Sequence, residues 1–409
     1  MGIDRGTIKL KRFSKNHLLV GDFMTTRDPL IALLLQSMAG GATRNTFDVY
    51  EGLKARGWNV HLIVSNLGVA ARYEEELNGF ERSDVDFVSM KRAPHVSDVR
   101  VYFEIRRILE SLNKKTILHA HSTKAGMLGY LLNSRVHASV FSPHAYRGID
   151  PNLSGLSREV IEKVESHYSQ SYDRVVVEVP LEYEYAARIG IARDKLRLIP
   201  NGINVTEDAL EELYGRRQIL SPNPTVGFVS RLVYQKNPLL FIEVLNEIIK
   251  GGCDAKAIVL GDGPLKDEMV RQAERYGIAE RIDWRGEVPA VGVYSEMDVM
   301  VHTSLYEAMA YSLIEACGAL LPIVATRNPG SEAVMGRCLS GNLSTKHDAA
   351  ELAAIVLRIV RDNQSRLEQL RVMKAMALRY STEIMISSLE DEYRRLLFNE
   401  RSSNSAGPA

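Results

Sequence analysis

The chain is predicted to fold as two α/β domains, each a doubly wound parallel sheet of Rossmann-like type, facing across a cleft. Three observations carry this. Short uninterrupted apolar runs alternate with helical stretches from residue 29 onward, as strands buried on both faces and their crossover helices require. The alternation resets once, at Pro200-Asn201-Gly202, and then begins again. With 409 residues, 45% hydrophobic and 25% charged, the chain has the material for two ordinary cores in a soluble globular protein.

Residues 1–28 carry Lys9, Lys11, Arg12 and Lys15 and lack the apolar core of a signal peptide. They are read as an N-terminal extension, either poorly ordered or docked on a membrane surface. The first buried strand is Leu30–Leu35. Gly40-Gly41 follows, then a helix to Arg56 that Gly57 can cap. Apolar runs at 60–64, 85–88, 117–120, 139–142, 175–177 and 196–199 complete a domain over 29–200. The polar stretch 201–224, ending in Ser221-Pro222-Asn223-Pro224, is expected to be a linker. A second series over 225–380 has runs at 225–229, 257–260, 282–284, 299–302 and 323–325. Residues 381–398 place Ile384, Met385, Leu389, Tyr393, Leu396 and Leu397 on one face of a helix. That helix is expected to pack back toward the N-terminal domain. The Ser- and Asn-rich tail 399–409 is expected to be disordered.

Formal net charge is zero, which argues against a nucleic-acid binder driven by bulk charge. Residues 1–200 hold 28 Lys+Arg against 23 Asp+Glu, and residues 201–409 the reverse, 23 against 28. The basic half suits an anionic membrane or an acidic acceptor; chance spread over solvated faces explains it equally well. Cys253, Cys317 and Cys338 have neither metal-ligand spacing nor a disulfide framework, and a reducing cytoplasm is expected. No run reaches the ~18 apolar residues of a membrane span. The expected location is cytoplasmic, with peripheral contact at the inner face of a membrane left open.

Several segments carry candidate chemistry. Glu307 and Glu315 bracket a loop and helix start after the strand at 299–302, where backbone N–H groups and the helix dipole favour a phosphate. Arg231 and Lys236 follow the strand at 225–229 and can neutralise a leaving diphosphate. Gly261-Asp262-Gly263-Pro264 follows another strand, where glycines permit close backbone approach. Position 266 is lysine, so the third glycine of a dinucleotide fingerprint is absent and a dehydrogenase is disfavoured. Gly40, Gly41 and Thr43 lie at the first helix N-terminus, fit for either a ligand or a packing turn. His119, His121 and Lys124 follow the strand at 117–120, and Ser142-Pro143-His144 follows the next. Zinc at His119 and His121 is not expected, because no Cys or carboxylate completes the set. Asp84-Val85-Asp86 starts a strand and is read as structural.

Five blocks in order resemble the retaining glycosyltransferases of GT-B fold, family 4 (glycosyltransferase group 1). They are Asn201-Gly202-Ile203-Asn204; Ser230-Arg231-Leu232 with Gln235-Lys236-Asn237-Pro238; Gly261-Asp262-Gly263-Pro264; Glu307 to Glu315; and Pro322 with Gly330-Ser331-Glu332. The resemblance spans roughly residues 29–398 and implies GT-B architecture. It also implies that Arg231 and Lys236 bind the diphosphate, Glu307 the donor sugar and Glu315 the ribose. Amides of Ala308, Met309, Ala310, Tyr311 and Ser312 would reach sugar and diphosphate, with Gly41, Gly261, Asp262, Gly263 and Val288 also on the donor. His144 would lie by the sugar and stabilise its developing charge. The expected catalytic set is therefore His144, Glu307, Arg231 and Lys236, and the acceptor side Gly40, Thr43, His121 and Lys124. No cofactor or catalytic metal is implied.

The chain departs from the family pattern at Ala308, Ala310, Leu321 and Pro329, where glycines are usual, and at Val179-Pro180, where a serine is. The expected activity is retaining transfer of a hexose-type sugar from a nucleotide diphosphate sugar to a glycan or lipid-linked acceptor in cell-surface polysaccharide synthesis. Domain closure would exclude water. A nucleotide-sugar 2-epimerase of the same fold and a non-catalytic nucleotide-sugar-binding protein are the alternatives. A sugar phosphorylase is disfavoured, since no pyridoxal-phosphate lysine motif is recognised.

Overall fold

The computed structural model describes residues 29–398 except Ala39, Arg92, Asn113, Lys114, Pro151, Leu220 and Arg337. The expected extension 1–28, its membrane contact and the tail 399–409 lie outside these residues. The described chain divides into two units, one of residues 29–201 with 382–398 and the other Gly202–Ser381.

The first unit holds seven strands: β1 (Leu30–Leu35), β2 (Asn59–Ser65), β3 (Val85–Val88), β4 (Thr116–His121), β5 (Ala138–Ser142), β6 (Arg174–Val177) and β7 (Leu196–Leu198). They pair in parallel in the order β3-β2-β1-β4-β5-β6-β7. Alternation along β1 is why its run is apolar throughout: Leu30, Ala32 and Leu34 enter one core layer, Ile31, Leu33 and Leu35 the other. The helix Gly41–Ala55 packs on the second layer through Phe47, Tyr50 and Leu53, and the helix Thr123–Leu132 on the first through Ala125 and Leu128. Strand order thus reverses at β1/β4, where the carboxyl ends of strands open a crevice.

The helix Thr382–Phe398 belongs to this unit. Its Met385, Ile386, Leu389, Tyr393 and Leu396 fill the layer that contains Phe47. Gly52 makes room, since a Cβ there would lie 2.6 Å from Ile386. Polar clamps complete the seat. Arg56 pairs with Glu383 at 2.6 Å and Glu390 at 2.7 Å, and buried Glu392 accepts from Arg174 at 2.9 Å and Arg197 at 2.8 Å.

The second unit holds β8 (Thr225–Val229), β9 (Lys256–Leu260), β10 (Ile282–Gly286), β11 (Val299–His302), β12 (Ile323–Thr326) and β13 (Leu343–Ser344). They pair in parallel in the order β10-β9-β8-β11-β12-β13, so strand order reverses at β8/β11. Its core joins the helices Pro238–Lys250 and Ala349–Arg361 to the sheet.

The stretch 201–224 is more than the expected linker. It contains the helix Glu207–Arg217, N-capped by Thr206. Buried Arg217 donates to the carbonyls of Ala319 at 3.2 Å, Tyr294 at 2.6 Å and Met297, fixing that helix to the second unit. Arg366, 2% exposed, adds bonds to the carbonyls of Arg217 at 2.8 Å and Asp298 at 3.1 Å. The two ends of the unit meet: the Ile203 amide donates to the Tyr380 carbonyl at 2.8 Å, beside a parallel bridge from Ile203 to Ser381. Among the described residues no helix is long and apolar enough to cross a membrane.

Candidate functional site

In the second unit, two loops converge at the β8/β11 reversal. The loop after β8 carries Arg231 and Lys236, and the loop after β11 carries Glu307. Cross-links set their register. The Leu305 amide donates to the Gln235 carbonyl at 2.8 Å, and Gln235 Nε2 to the Tyr306 carbonyl at 2.9 Å. Thr303 Oγ1 bonds the carbonyls of Lys236 and Asn237, both at 2.8 Å. As a result Lys236 Nζ and Glu307 Oε1 form a largely buried ion pair, and Ser304 Oγ donates to the same oxygen at 2.8 Å.

Burial pushes the Glu307 carboxyl up, but Lys236 and His302, with hydrogen bonds from Lys236 and Ser304, outweigh it and leave the group below its ordinary value. Glu307 is therefore ionised at neutral pH. His302 Nε2 stands 3.8 Å from Glu307 Oε1 without a hydrogen-bond partner. Burial lowers the imidazole to about 4, against the pull of Glu307 and with the help of Lys236, so it is neutral. Arg231 is exposed, and among the described residues its guanidinium makes no ion pair or hydrogen bond.

The helix expected near Tyr311 runs over Tyr311–Gly318 with no side-chain cap and no acid in its first turn. The positive end of its dipole, which no side-chain oxygen or first-turn carboxylate offsets, favours an anion. Glu315, one turn on, accepts from the phenol of Tyr294 at 2.9 Å. The helix Pro329–Met335 starts with a capping box of Asn328 and Ser331. Asn328 Nδ2 and Thr326 Oγ1 bond the Ser304 carbonyl at 2.9 and 2.6 Å. Gly330 is forced by contact: a Cβ there would lie 2.4 Å from the Ala308 carbonyl oxygen and 2.5 Å from Glu307 Cβ.

The glycines at 261 and 263 serve an approach by the protein's own backbone. A Cβ on Gly261 would lie 1.9 Å from the Ser230 carbonyl oxygen, and one on Gly263 2.5 Å from that of Leu232. The loop bearing Arg231 therefore lies directly on Gly261-Asp262-Gly263, held by a 2.9 Å bond from the Leu232 amide to the Asp262 carbonyl. Val288 is exposed just past β10.

In the first unit, Gly40 is the N-cap of Gly41–Ala55 at φ 82° and ψ −161°, which favours glycine. Its carbonyl accepts from the Tyr73 phenol at 2.7 Å. Gly41 is exposed, whereas Thr43 is buried with Oγ1 on the Ser37 carbonyl at 3.0 Å. His121 and Lys124, expected on the acceptor side, turn inward. Lys124 Nζ is spent on the carbonyls of Lys91 at 2.7 Å and Ala93 at 2.9 Å and on Asp98 at 2.6 Å. His121 is fully buried, its ring against His119, and its Nδ1 lies 2.9 Å from His144 Nε2. His119 is held by Tyr393 at 2.6 Å and Ser142 at 2.8 Å. Burial pulls His119 down to about 3 and His121 well below its ordinary value, so both rings are neutral.

His144 Nδ1 lies 2.5 Å from Glu178 Oε1, which leaves both ring nitrogens with protein partners. Asp84 receives Tyr50 at 3.0 Å and Lys54 at 2.7 Å, and Asp86 pairs with His61 at 2.9 Å. Among the described residues no group of three or more His, Cys, Asp or Glu side chains is arranged to hold a metal. Sequence reasoning passed over Glu178, His302, Ser304 and Tyr294. Glu178, His302 and Ser304 carried a signal, polar residues at or just past the end of an apolar strand.

Two family models match. "Glycosyltransferase Family 4" covers residues 39–207 and "Glycosyl transferases group 1" residues 213–375. Among curated proteins, a 2-deoxystreptamine glucosyltransferase of Streptomyces kanamyceticus is 26% identical over 230 residues, 53% of this chain and 58% of that protein's length. The UDP-Gal:alpha-D-GlcNAc-diphosphoundecaprenol alpha-1,3-galactosyltransferase of Escherichia coli is 21% identical over 384 residues, 90% of this chain and 96% of the other. Among solved structures, Anabaena Alr3699/HepE with UDP and glucose superposes with TM-score 0.72 at 19% identity, over 89% of this chain and 99% of that one. At that identity the likeness speaks for the fold alone.

Proposed function

The chain belongs to the GT-B glycosyltransferases of family 4, which transfer sugar from a nucleotide sugar, and from that premise we propose that it moves a hexose-type sugar, with retention, to a glycan or lipid-linked acceptor in cell-surface polysaccharide synthesis. The observation that carries this is the convergence at β8/β11 of exposed Arg231, the Lys236–Glu307 pair and the uncapped helix start at Tyr311. Breaking the bond from the anomeric carbon to the diphosphate oxygen leaves negative charge on the diphosphate. Arg231, Lys236 and the positive end of the dipole of the helix Tyr311–Gly318 neutralise it, so the reaction is proposed to be metal-independent.

Glu307, ionised, accepts hydroxyls of the donor sugar while sharing Lys236 with the phosphate; Glu315 takes the ribose. Ala308, Met309 and Ala310 contribute amides to the sugar, and Ala308 and Ala310 narrow its pocket. Gly261, Asp262, Gly263 and Val288 flank the nucleotide. In the other unit, exposed Gly40 and Gly41 form the helix start offered to substrate, and His144 is assigned to the charge developing on the transferred sugar. Uridine nucleotides in the names of the Escherichia coli relative and the HepE structures put UDP-hexoses first in a donor screen. The undecaprenol diphosphate acceptor of that relative supports a lipid-linked one here, reached from the cytoplasmic face of a membrane.

A thermal-shift screen of UDP-, GDP- and ADP-sugars, followed by transfer assays, tests this. Donor binding, turnover only with acceptor, and loss of transfer in Glu307→Ala are the expected results. Epimerised sugar with free nucleotide in the absence of acceptor would establish an epimerase instead, and binding without turnover a sensor.

A further inference from the structure

We propose that Glu178 is a positioning residue for His144, fixing the imidazole through Nδ1 and holding the strained peptide that carries it. The inference rests on the role assigned above to His144. Two consecutive non-glycine residues, His144 and Ala145, have φ of 53° and 93°, a backbone that persists only when its surroundings over-determine it. Three buried carboxyl groups do so. Glu178 takes the ring at 2.5 Å, with side-chain exposures of 6% for His144 and 8% for Glu178. Glu182 accepts from the Glu178 amide at 3.0 Å and so fixes the residue that fixes the ring. Glu165 accepts from the amides of Arg147 at 2.7 Å and Gly148 at 3.2 Å and from the Tyr185 phenol at 2.5 Å.

The hydrogen bonds also determine the tautomer. With Glu178 as a carboxylate, which only accepts, Nδ1 of His144 is the donor of the 2.5 Å bond. Nε2 of His144 then faces Nδ1 of neutral His121 at 2.9 Å, and one proton is shared along that line. His121 Nε2, at the far end, is buried and has no partner. The chain Glu178–His144–His121 thus leaves His144 one orientation. Loss of the carboxylate frees the ring to turn, and the backbone at 144–145 relaxes with it.

The test uses the full-length protein with nucleotide sugar and acceptor. Glu178→Gln is expected to lower kcat on the order of 10²-fold, the cost of misplacing a reacting group by about 1 Å. Affinity for nucleoside diphosphate should stay unchanged, because Arg231, Lys236 and Glu307 belong to the other unit. Glu178→Asp, which keeps the charge but withdraws it by one methylene, is expected to fall in between, and covers the case in which the glutamine variant misfolds. In a His144→Ala background, Glu178→Gln should cost nothing more. Nitrogen-15 spectra should show the His144 Nδ1–H signal displaced in Glu178→Gln. Full kcat in Glu178→Gln or Glu178→Asp beside an impaired His144→Ala overturns this inference alone, as do losses that multiply in the double variant. Full activity in His144→Ala overturns the assignment of His144, and this inference with it.

Discussion

Gly330→Ala should disable the enzyme without unfolding it. The added methyl would stand 2.4 Å from the Ala308 carbonyl oxygen, 2.5 Å from Glu307 Cβ and 3.0 Å from the Glu307 carbonyl oxygen. An ordinary carbon–oxygen approach is about 3.3–3.6 Å, so the Glu307 loop must retreat by about 1 Å. The helix bearing Gly330 is poorly placed to yield, being fixed by Pro329 and the Asn328–Ser331 capping box. Overpacking of this kind costs about 1–3 kcal/mol, and a 1 Å displacement at a reacting centre about 10²-fold in rate. The assay is transfer of labelled sugar, with the melting midpoint measured alongside. Gly215→Ala is the control: its Cβ meets nothing within 4 Å in the helix Glu207–Arg217, and stability should rise by about 0.5–1 kcal/mol. If Gly330→Ala retains transfer within about twofold, the Glu307 loop is not held where the reasoning requires.

Arg231→Ala should weaken nucleotide diphosphate binding in calorimetry with no change in melting midpoint, since the guanidinium is exposed and makes no ion pair among the described residues. Lys236→Ala should cost both, because it strands the buried Glu307 carboxylate; about 3–5 kcal/mol is the usual loss on breaking such a pair. His302 has a folded value of about 4 against 6.5 unfolded, so the unfolded chain takes up the proton first. Its share of stability is complete above pH 6.5 and lost as pH falls toward 4. Relative to His302→Gln, the protein should lose about 2–3 kcal/mol between pH 7 and 4.5 in urea titrations. Arg366→Met should cost about 2–4 kcal/mol in chemical denaturation, by unpairing the carbonyls of Arg217 and Asp298.

The strands were legible because each is a short continuous apolar run, and doubly buried strands have no other pattern. The helix start at Tyr311 was legible too, from a loop of small residues between two strands. Contacts decided by distant residues were not. Lys236 and Glu307 are 71 positions apart, and their meeting depends on Gln235 and Thr303 bonding across the gap. Lys124 looked like a free cation after a strand until Lys91, Ala93 and Asp98 closed on it. The stretch 201–224 reads as polar, and the burial of Ile203, Leu210 and Arg217 is what makes it part of a core. Gly261 and Gly263 signalled a close approach correctly, but the approaching group is the chain itself.

The seat of Thr382–Phe398 against Phe47 and Tyr50 has a consequence for biosynthesis. A ribosome delivers residues 29–201 first, yet the part of this layer that the helix Gly41–Ala55 leaves uncovered stays open until the helix Thr382–Phe398 emerges. The nascent first unit must wait, that part of its apolar layer exposed, while Gly202–Ser381 is made and folds, its ends joined at Ile203 and Ser381. Truncation before residue 382 should therefore yield an aggregating protein, whereas the excised 202–381 segment should fold alone.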